Sequence, residues 1–288
     1  MINYCIIGRV SMNYKIIADS SADVLSMEGV SYASVPLTIL AAGKQYVDDE
    51  TLDVDGLVAD LRACKEKTST ACPGTAQWLQ AFGDAEGVFC VTITSSLSGT
   101  YNAARLAARE YEEKHPGRRA YVLDSLSTGP EMQLIVEKLA ELVQQQLSFD
   151  EIVKMIEAYR KHTYLLFSLK NLHNLVVNGR VSPALGALVG LLGIRVIGRA
   201  SEGGELQTLT KSRGDKKALQ ALMSHLRELG FQGGRVRIHH CGNESFATAI
   251  KEAILAFHPA ADIRLAITRG LCSIYAEEGG VLVGFEGE

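Results

Sequence analysis

At 288 residues, 47% of them hydrophobic, the chain is long enough to bury one large core or two modest ones, and its length favours two domains. A formal net charge of −4, with 29 Lys/Arg against 33 Asp/Glu, supplies no basic field for a nucleic-acid backbone and argues against that class of partner. Six cysteines, with no C-x-x-C pair and no Cys/His pairing at zinc spacing, fit reduced thiols in a cytoplasm and assign neither a metal nor a cofactor.

The first half alternates short apolar strands with helical patterns. Residues 15–18 and 33–38 read as strands, 54–64 and 78–82 as helices, 88–94 as a strand, 101–114 as a helix and 120–123 as a strand. Met12 is a second candidate start, because the first strand opens only at Lys15. A long helix over 131–146 follows Pro130, and 149–162 makes another, with Ile152, Met155, Ile156 and Tyr159 on one face. The junction is placed near residue 160, dividing the chain into an N-terminal α/β domain over 12–160 and a C-terminal α/β domain over 161–288.

The second half begins with a strand over 164–168, a helix over 169–177 and a loop at Gly179-Arg180. The apolar stretch 181–194 is punctuated by Pro183 and glycines and falls short of the ~20 residues that span a bilayer. A strand over 195–197, the Gly203-Gly204 turn, a helix over 216–229, a strand over 236–239, a helix over 245–257 and strands over 264–267 and 281–285 complete the pattern. The fold class is α/β in two domains, the first with a mostly parallel sheet flanked by helices. In such sheets ligands collect at the carboxyl ends of the strands, where Asp19-Ser20-Ser21, Ser95 to Thr100 and Asp124-Ser125 all fall.

The hydroxyl-rich turn Ser95-Ser96-Leu97-Ser98-Gly99-Thr100 joins an apolar strand to a helix start. Free backbone N–H groups, the helix dipole and several O–H donors meet there, so a carboxylate or phosphate would fit; plain N-capping explains the same residues. Lys67-Thr68-Ser69-Thr70 through Pro73-Gly74 is a second such turn. Asp19-Ser20-Ser21-Ala22-Asp23 reads as a helix cap rather than an acid/base or metal cluster. Arg180 offers a guanidinium fork to a carboxylate or phosphate, or is simply a surface arginine after a helix-ending glycine. The basic run 211–217 reads as a solvated helix start, with partner docking as its other use, and His239-His240-Cys241 receives no metal.

Four motifs in order, Asp19-Ser20-Ser21-Ala22-Asp23, Thr68-Ser69 through Pro73-Gly74, Ser95 through Thr100, and Asn178-Gly179-Arg180, resemble those of the DegV family of fatty-acid-binding proteins. The resemblance runs from about Lys15 to the C terminus and implies one long-chain fatty acid held between the domains. It implies Thr68 and Ser98 as hydrogen-bond donors to the carboxylate, with Ser95 in reserve and Arg180 beside them. The histidine usual before the C-terminal Gly279-Gly280 turn is missing, and Tyr275 stands nearby as a substitute donor.

Leu185, Leu188, Val189 and Leu192 are the acyl-chain wall candidates, and the 183–193 segment is the candidate for transient membrane contact. The family hands its fatty acid to an ATP-dependent kinase subunit, so the resemblance implies a non-catalytic lipid-binding protein with no cofactor. That fits the absence of a Walker A, G-x-S-x-G or H-E-x-x-H motif. The competing reading is a small-molecule transferase or hydrolase with a Ser or Thr nucleophile in these turns, which requires an activating base that no His/Asp pairing here supplies.

Overall fold

The computed structural model describes residues 13–63, 67–184 and 193–288, so Leu185, Leu188, Val189 and Leu192, and most of the segment expected to touch a membrane, lie outside the described residues. In chain order, β1 (Tyr14–Asp19) and β2 (Ser31–Val35) precede three short strands, β3 (Thr38–Ala41), β4 (Lys44–Val47) and β5 (Ser69–Ala71), with α1 (Val54–Ala63) before β5. Then come α2 (Thr75–Phe82), β6 (Gly87–Thr92), α3 (Thr100–Lys114), β7 (Arg119–Asp124), α4 (Gly129–Gln144) and α5 (Phe149–Arg160). β2, β1, β6 and β7 form a four-stranded sheet in that order, parallel throughout.

Both faces of this sheet are covered, which is why β6 is buried from end to end. Ile16, Phe89 and Val91 pack against Met132 and Ile135 of α4 and Ile152 and Ile156 of α5. The opposite face carries Ile17, Val88 and Cys90 into Trp78, Phe82 and Ala104, the small alanines of α3 letting that helix approach closely.

One strand expected over 33–38 is in fact two. Pro36 has no N–H to give the ladder, so β2 ends at Val35, and Leu37 N donates instead to Ser20 Oγ at 3.1 Å. β3 then turns away and pairs antiparallel with β4 and β5 in a separate small sheet.

The remaining elements are β8 (Thr163–Leu169), α6 (His173–Val177), β9 (Ile194–Ala200), β10 (Leu206–Arg213), α7 (Asp215–Glu228), β11 (Arg235–His240), α8 (Glu244–Phe257), β12 (Asp262–Ile267), α9 (Gly270–Ala276) and β13 (Val281–Glu286). Their strands make a six-stranded sheet, β10-β9-β8-β13-β11-β12, in which only β11 and β12 run parallel. Alternation along β8 divides its side chains: Leu166 enters the core under α7 and α8, while Leu165, Phe167 and Leu169 turn to the other face. The Phe167 ring lies over its cross-strand partner Gly198, where a Cβ would come within 2.3 Å of it.

Three expectations change in this half. Lys211, Ser212 and Arg213 belong to β10, and the helix begins only at Asp215, after Gly214 with φ +80°. Leu169 closes β8 rather than opening a helix, which shortens α6. α9 was not anticipated; its Leu271 and Ile274 enter the core of the first sheet, and the Asp48 carboxylate accepts from Gly270 N at 3.0 Å and Leu271 N at 2.9 Å. Among the described residues no helix is long and apolar enough to cross a membrane.

Candidate functional site

Between the Leu165/Phe167/Leu169 face of the six-stranded sheet and the turns after β6 and β7 lies a cavity of about 810 Å³ of atom-free space, mouth included. Leu206, Leu271 and Leu282 extend the apolar wall, and Ile93, Leu97 and Leu37 face it from the first domain. Polar residues interrupt this lining: the hydroxyls of Thr70, Thr94, Ser98, Ser127, Thr128 and Tyr275, with Arg180 and Glu205.

Each polar group is delivered by a different element. Thr70 sits in β5 and its Oγ1 is 2.8 Å from the Tyr275 hydroxyl of α9. Ser98 stands at the start of α3, its Oγ 2.8 Å from Thr100 Oγ1. Arg180 arrives by a helix-ending turn in which Gly179, at φ +71°, sends its N–H to Val176 O at 2.9 Å and Arg180 N bonds Leu175 O at 2.8 Å. This pattern stops α6 and needs a residue free to enter the left-handed region, which accounts for the glycine of Asn-Gly-Arg. The side chain then donates Nε to Leu97 O at 3.3 Å, beside Ser98, and Nη1 to Asn178 O.

Of the residues expected at a carboxylate, Ser98, Arg180 and Tyr275 line the cavity. Thr68 and Ser95 do not. The Thr68 hydroxyl is buried and committed to Asn174 Oδ1 at 2.8 Å; Thr68 precedes β5, and Thr70, inside that strand, stands at the wall instead. Ser95 is exposed, with its N–H held by Asp124 Oδ1 at 3.1 Å. Thr70 lay within the hydroxyl cluster but was not singled out; Leu165, Phe167 and Leu169 were signalled by the strand alternation around them.

The second domain closes over the first at the Gly203-Gly204 turn. Ser96 Oγ donates to Gly203 O at 2.5 Å, and Gly204, at φ +77°, nests so tightly that a Cβ would stand 2.1 Å from Thr94 Oγ1.

Beneath the turns, Asp19 caps a single 3-10 turn (Ser20–Ala22) and accepts from Ser21 N at 3.0 Å and Ile93 N at 2.7 Å. Burial pushes its carboxyl up to about 6, and Asp48 likewise to about 6. Asp23, in the left-handed region at φ +58°, reaches across to His239 Nδ1 at 2.8 Å and accepts from Arg269 N at 2.9 Å. The Asp-Ser-Ser-Ala-Asp motif thus caps a turn and ties the halves of the chain together. Among the described residues no cluster of His, Cys, Asp or Glu could hold a metal ion. Ser98 and Thr70 pair with other hydroxyls, not with an imidazole or carboxylate, so neither has the base a nucleophile needs.

A family model described as an uncharacterised protein of the DegV family matches residues 13–287. A DegV domain-containing protein of Streptococcus pneumoniae is 46% identical over 279 residues, covering 96% of this chain and 99% of its own. Among solved structures, the Fatty Acid Kinase (Fak) B3 protein of Streptococcus pneumoniae, loaded with linoleic acid, superposes with a TM-score of 0.94 at 46% identity, covering 96% of this chain and 100% of that one. A DegV family protein from Eubacterium eligens loaded with heptadecanoic acid gives 0.93 at 42% identity, with the same coverage.

Proposed function

The chain belongs to the DegV family, and from that premise we propose that it is a cytoplasmic carrier holding one long-chain fatty acid between its domains for an ATP-dependent kinase. The observation that carries this reading is a cavity whose wall is a leucine- and phenylalanine-faced sheet and whose polar lining is mostly hydroxyls with one guanidinium, Arg180, and one acidic residue, Glu205. Burying a sixteen-carbon tail at about 0.8 kcal/mol per methylene is worth on the order of 12 kcal/mol gross, before association costs. Hydrogen bonds to a charged head contribute about 1.5–3 kcal/mol each, so the tail supplies affinity and the head supplies orientation.

Thr70, Ser98 and Tyr275 hold the carboxylate, and Arg180 stands where it meets the carboxylate or the phosphoryl group later built on it. Thr68 acts behind the wall rather than on the ligand. The phosphoryl transfer itself is the partner's: a carboxylate oxygen attacks the terminal phosphorus of ATP, leaving acyl phosphate on the carrier and ADP on the kinase.

Native mass spectrometry of gently purified protein tests the reading. A single co-purifying acyl chain, lost on delipidation and regained from oleate, is expected. An empty protein that turns over acyl or phosphoryl substrates without a partner would establish the enzyme reading instead.

A further inference from the structure

Asn174, in α6, touches no ligand-facing surface of the cavity and is buried. Its side-chain amide nonetheless connects the elements that carry the cavity's polar groups. Oδ1 accepts from Thr68 Oγ1 at 2.8 Å, two residues before Thr70. Nδ2 donates to Ile274 O at 2.8 Å, the carbonyl just before Tyr275. Its backbone carbonyl accepts from Asn178 Nδ2 at 2.8 Å; that same nitrogen also reaches Thr68 Oγ1 at 3.3 Å, and Asn178 O takes Nη1 of Arg180. Finally, Asn174 N donates to Glu277 Oε1 at 2.9 Å, just beyond the end of α9.

We propose that Asn174 is a positioning residue that sets Thr70, Tyr275 and Arg180 in one mutual geometry, so that a bound carboxylate meets all three. The proposal rests on the carrier reading above. An amide has a fixed acceptor and fixed donors in one plane, so both its ends are satisfied only when β5, α6 and α9 hold a single relative placement. A buried amide end left unpaired is costly, which makes the placement stiff. No hydroxyl-bearing residue of comparable size has both a carbonyl acceptor and an N–H donor to span the gap between Thr68 Oγ1 and Ile274 O.

The effect separates from mere stability because the head's titration reads the donors around the carboxylate, whereas retention reads burial of the tail. Oleate labelled with 13C at its carboxyl, bound to the full-length protein, reports the head directly through its NMR titration, while native mass spectrometry reports retention. In the wild type the carboxyl is expected to remain ionised below the ordinary range for a fatty acid, because hydroxyl donors and a guanidinium favour the charged form. Asn174→Ala is expected to retain oleate at one per chain yet raise the carboxyl midpoint by about one pH unit, a tenfold loss in preference for the ionised head.

Asn174→Asp, which keeps an acceptor for Thr68 but sets a buried carboxylate against the Ile274 carbonyl, is expected to raise the midpoint at least as far. Thr68→Val, also away from the cavity wall, is expected to shift it in the same direction. These two variants carry the test should Asn174→Ala not fold. Wild-type midpoints in all folded variants, even with lowered melting temperatures, overturn the proposal. A wild-type protein that takes up no oleate overturns the carrier reading itself, and the proposal with it.

Discussion

The apolar wall and the polar lining of the same cavity are assembled by opposite means. Leu165, Phe167 and Leu169 come from alternate positions of one strand, so their common facing follows from the two-residue repeat of β8 alone. Thr70, Ser98, Arg180 and Tyr275 come from β5, the start of α3, the turn after α6 and α9, and they meet only because two sheets and a crossing helix place them so. This part of the wall therefore needs only β8 to form, whereas the polar lining depends on the register of every element that contributes to it.

The largest test of that difference is Phe167→Ala. It removes a buried ring from the wall and opens a gap over Gly198, so a loss of about 3–4 kcal/mol in denaturant unfolding is expected, with acyl retention falling alongside stability. Gly204→Val strikes the seam between the regions. A β-branched residue at φ +77° that also meets Thr94 Oγ1 is expected to cost at least ~2 kcal/mol and to speed fatty-acid release in a transfer assay.

A pH series addresses the buried carboxyls beneath and beside the cavity. Burial holds Asp19 and Asp48 at about 6 and Glu131 at about 7, against ordinary values near ~4 in the open chain. Between those limits the fold binds more protons than the unfolded chain, so their contribution is complete below about pH 4 and is lost as pH rises through 6 and 7. His240, which burial shifts downward, acts in the opposite sense as pH falls below its ordinary value. Burial raises Glu277 as well, so four carboxyls act against one imidazole; a melting temperature a few degrees higher near pH 5.5 than near pH 8 is expected, and Glu131→Gln should reduce that difference.

Smaller effects belong to the polar lining. Thr70→Val with Ser98→Ala should leave the acyl chain bound by its tail, weaken it by about a hundredfold or more, and sharply reduce phosphorylation by the partner, as read by titration and a coupled assay. Retention and phosphorylation both at wild-type levels would remove these residues from the head-group site. Ser96→Ala breaks one partly exposed bond across the seam and should cost under ~1 kcal/mol, with a measurable rise in release rate.

Much of this molecule was legible from local chemistry. Alternating strands and amphipathic helices predicted two α/β domains with a parallel first sheet, and the Asn-Gly-Arg and Ser-x-Leu-Ser-Gly-Thr turns marked where polar groups would gather. What escaped was non-local. Pro36 splits a predicted strand because the ladder it would join needs an N–H, a demand that exists only once β1 lies alongside. α9 is short and nearly all buried, so it lacks the amphipathic repeat that announces a surface helix. Whether Thr68 or Thr70 reaches the cavity turns on where β5 begins, with Thr68 ahead of the strand and bonded to Asn174 and Thr70 inside it opposite Ile39, which no property of Thr-Ser-Thr specifies.

The amino-acid sequence by itself determined the elements and their buried faces, because periodicity and turn chemistry act over a few residues. Only the tertiary structure decided which hydroxyls line one cavity. That choice is made by strand register, by the crossing of α9 and by buried polar links such as Asn174, all of which join residues far apart along the chain.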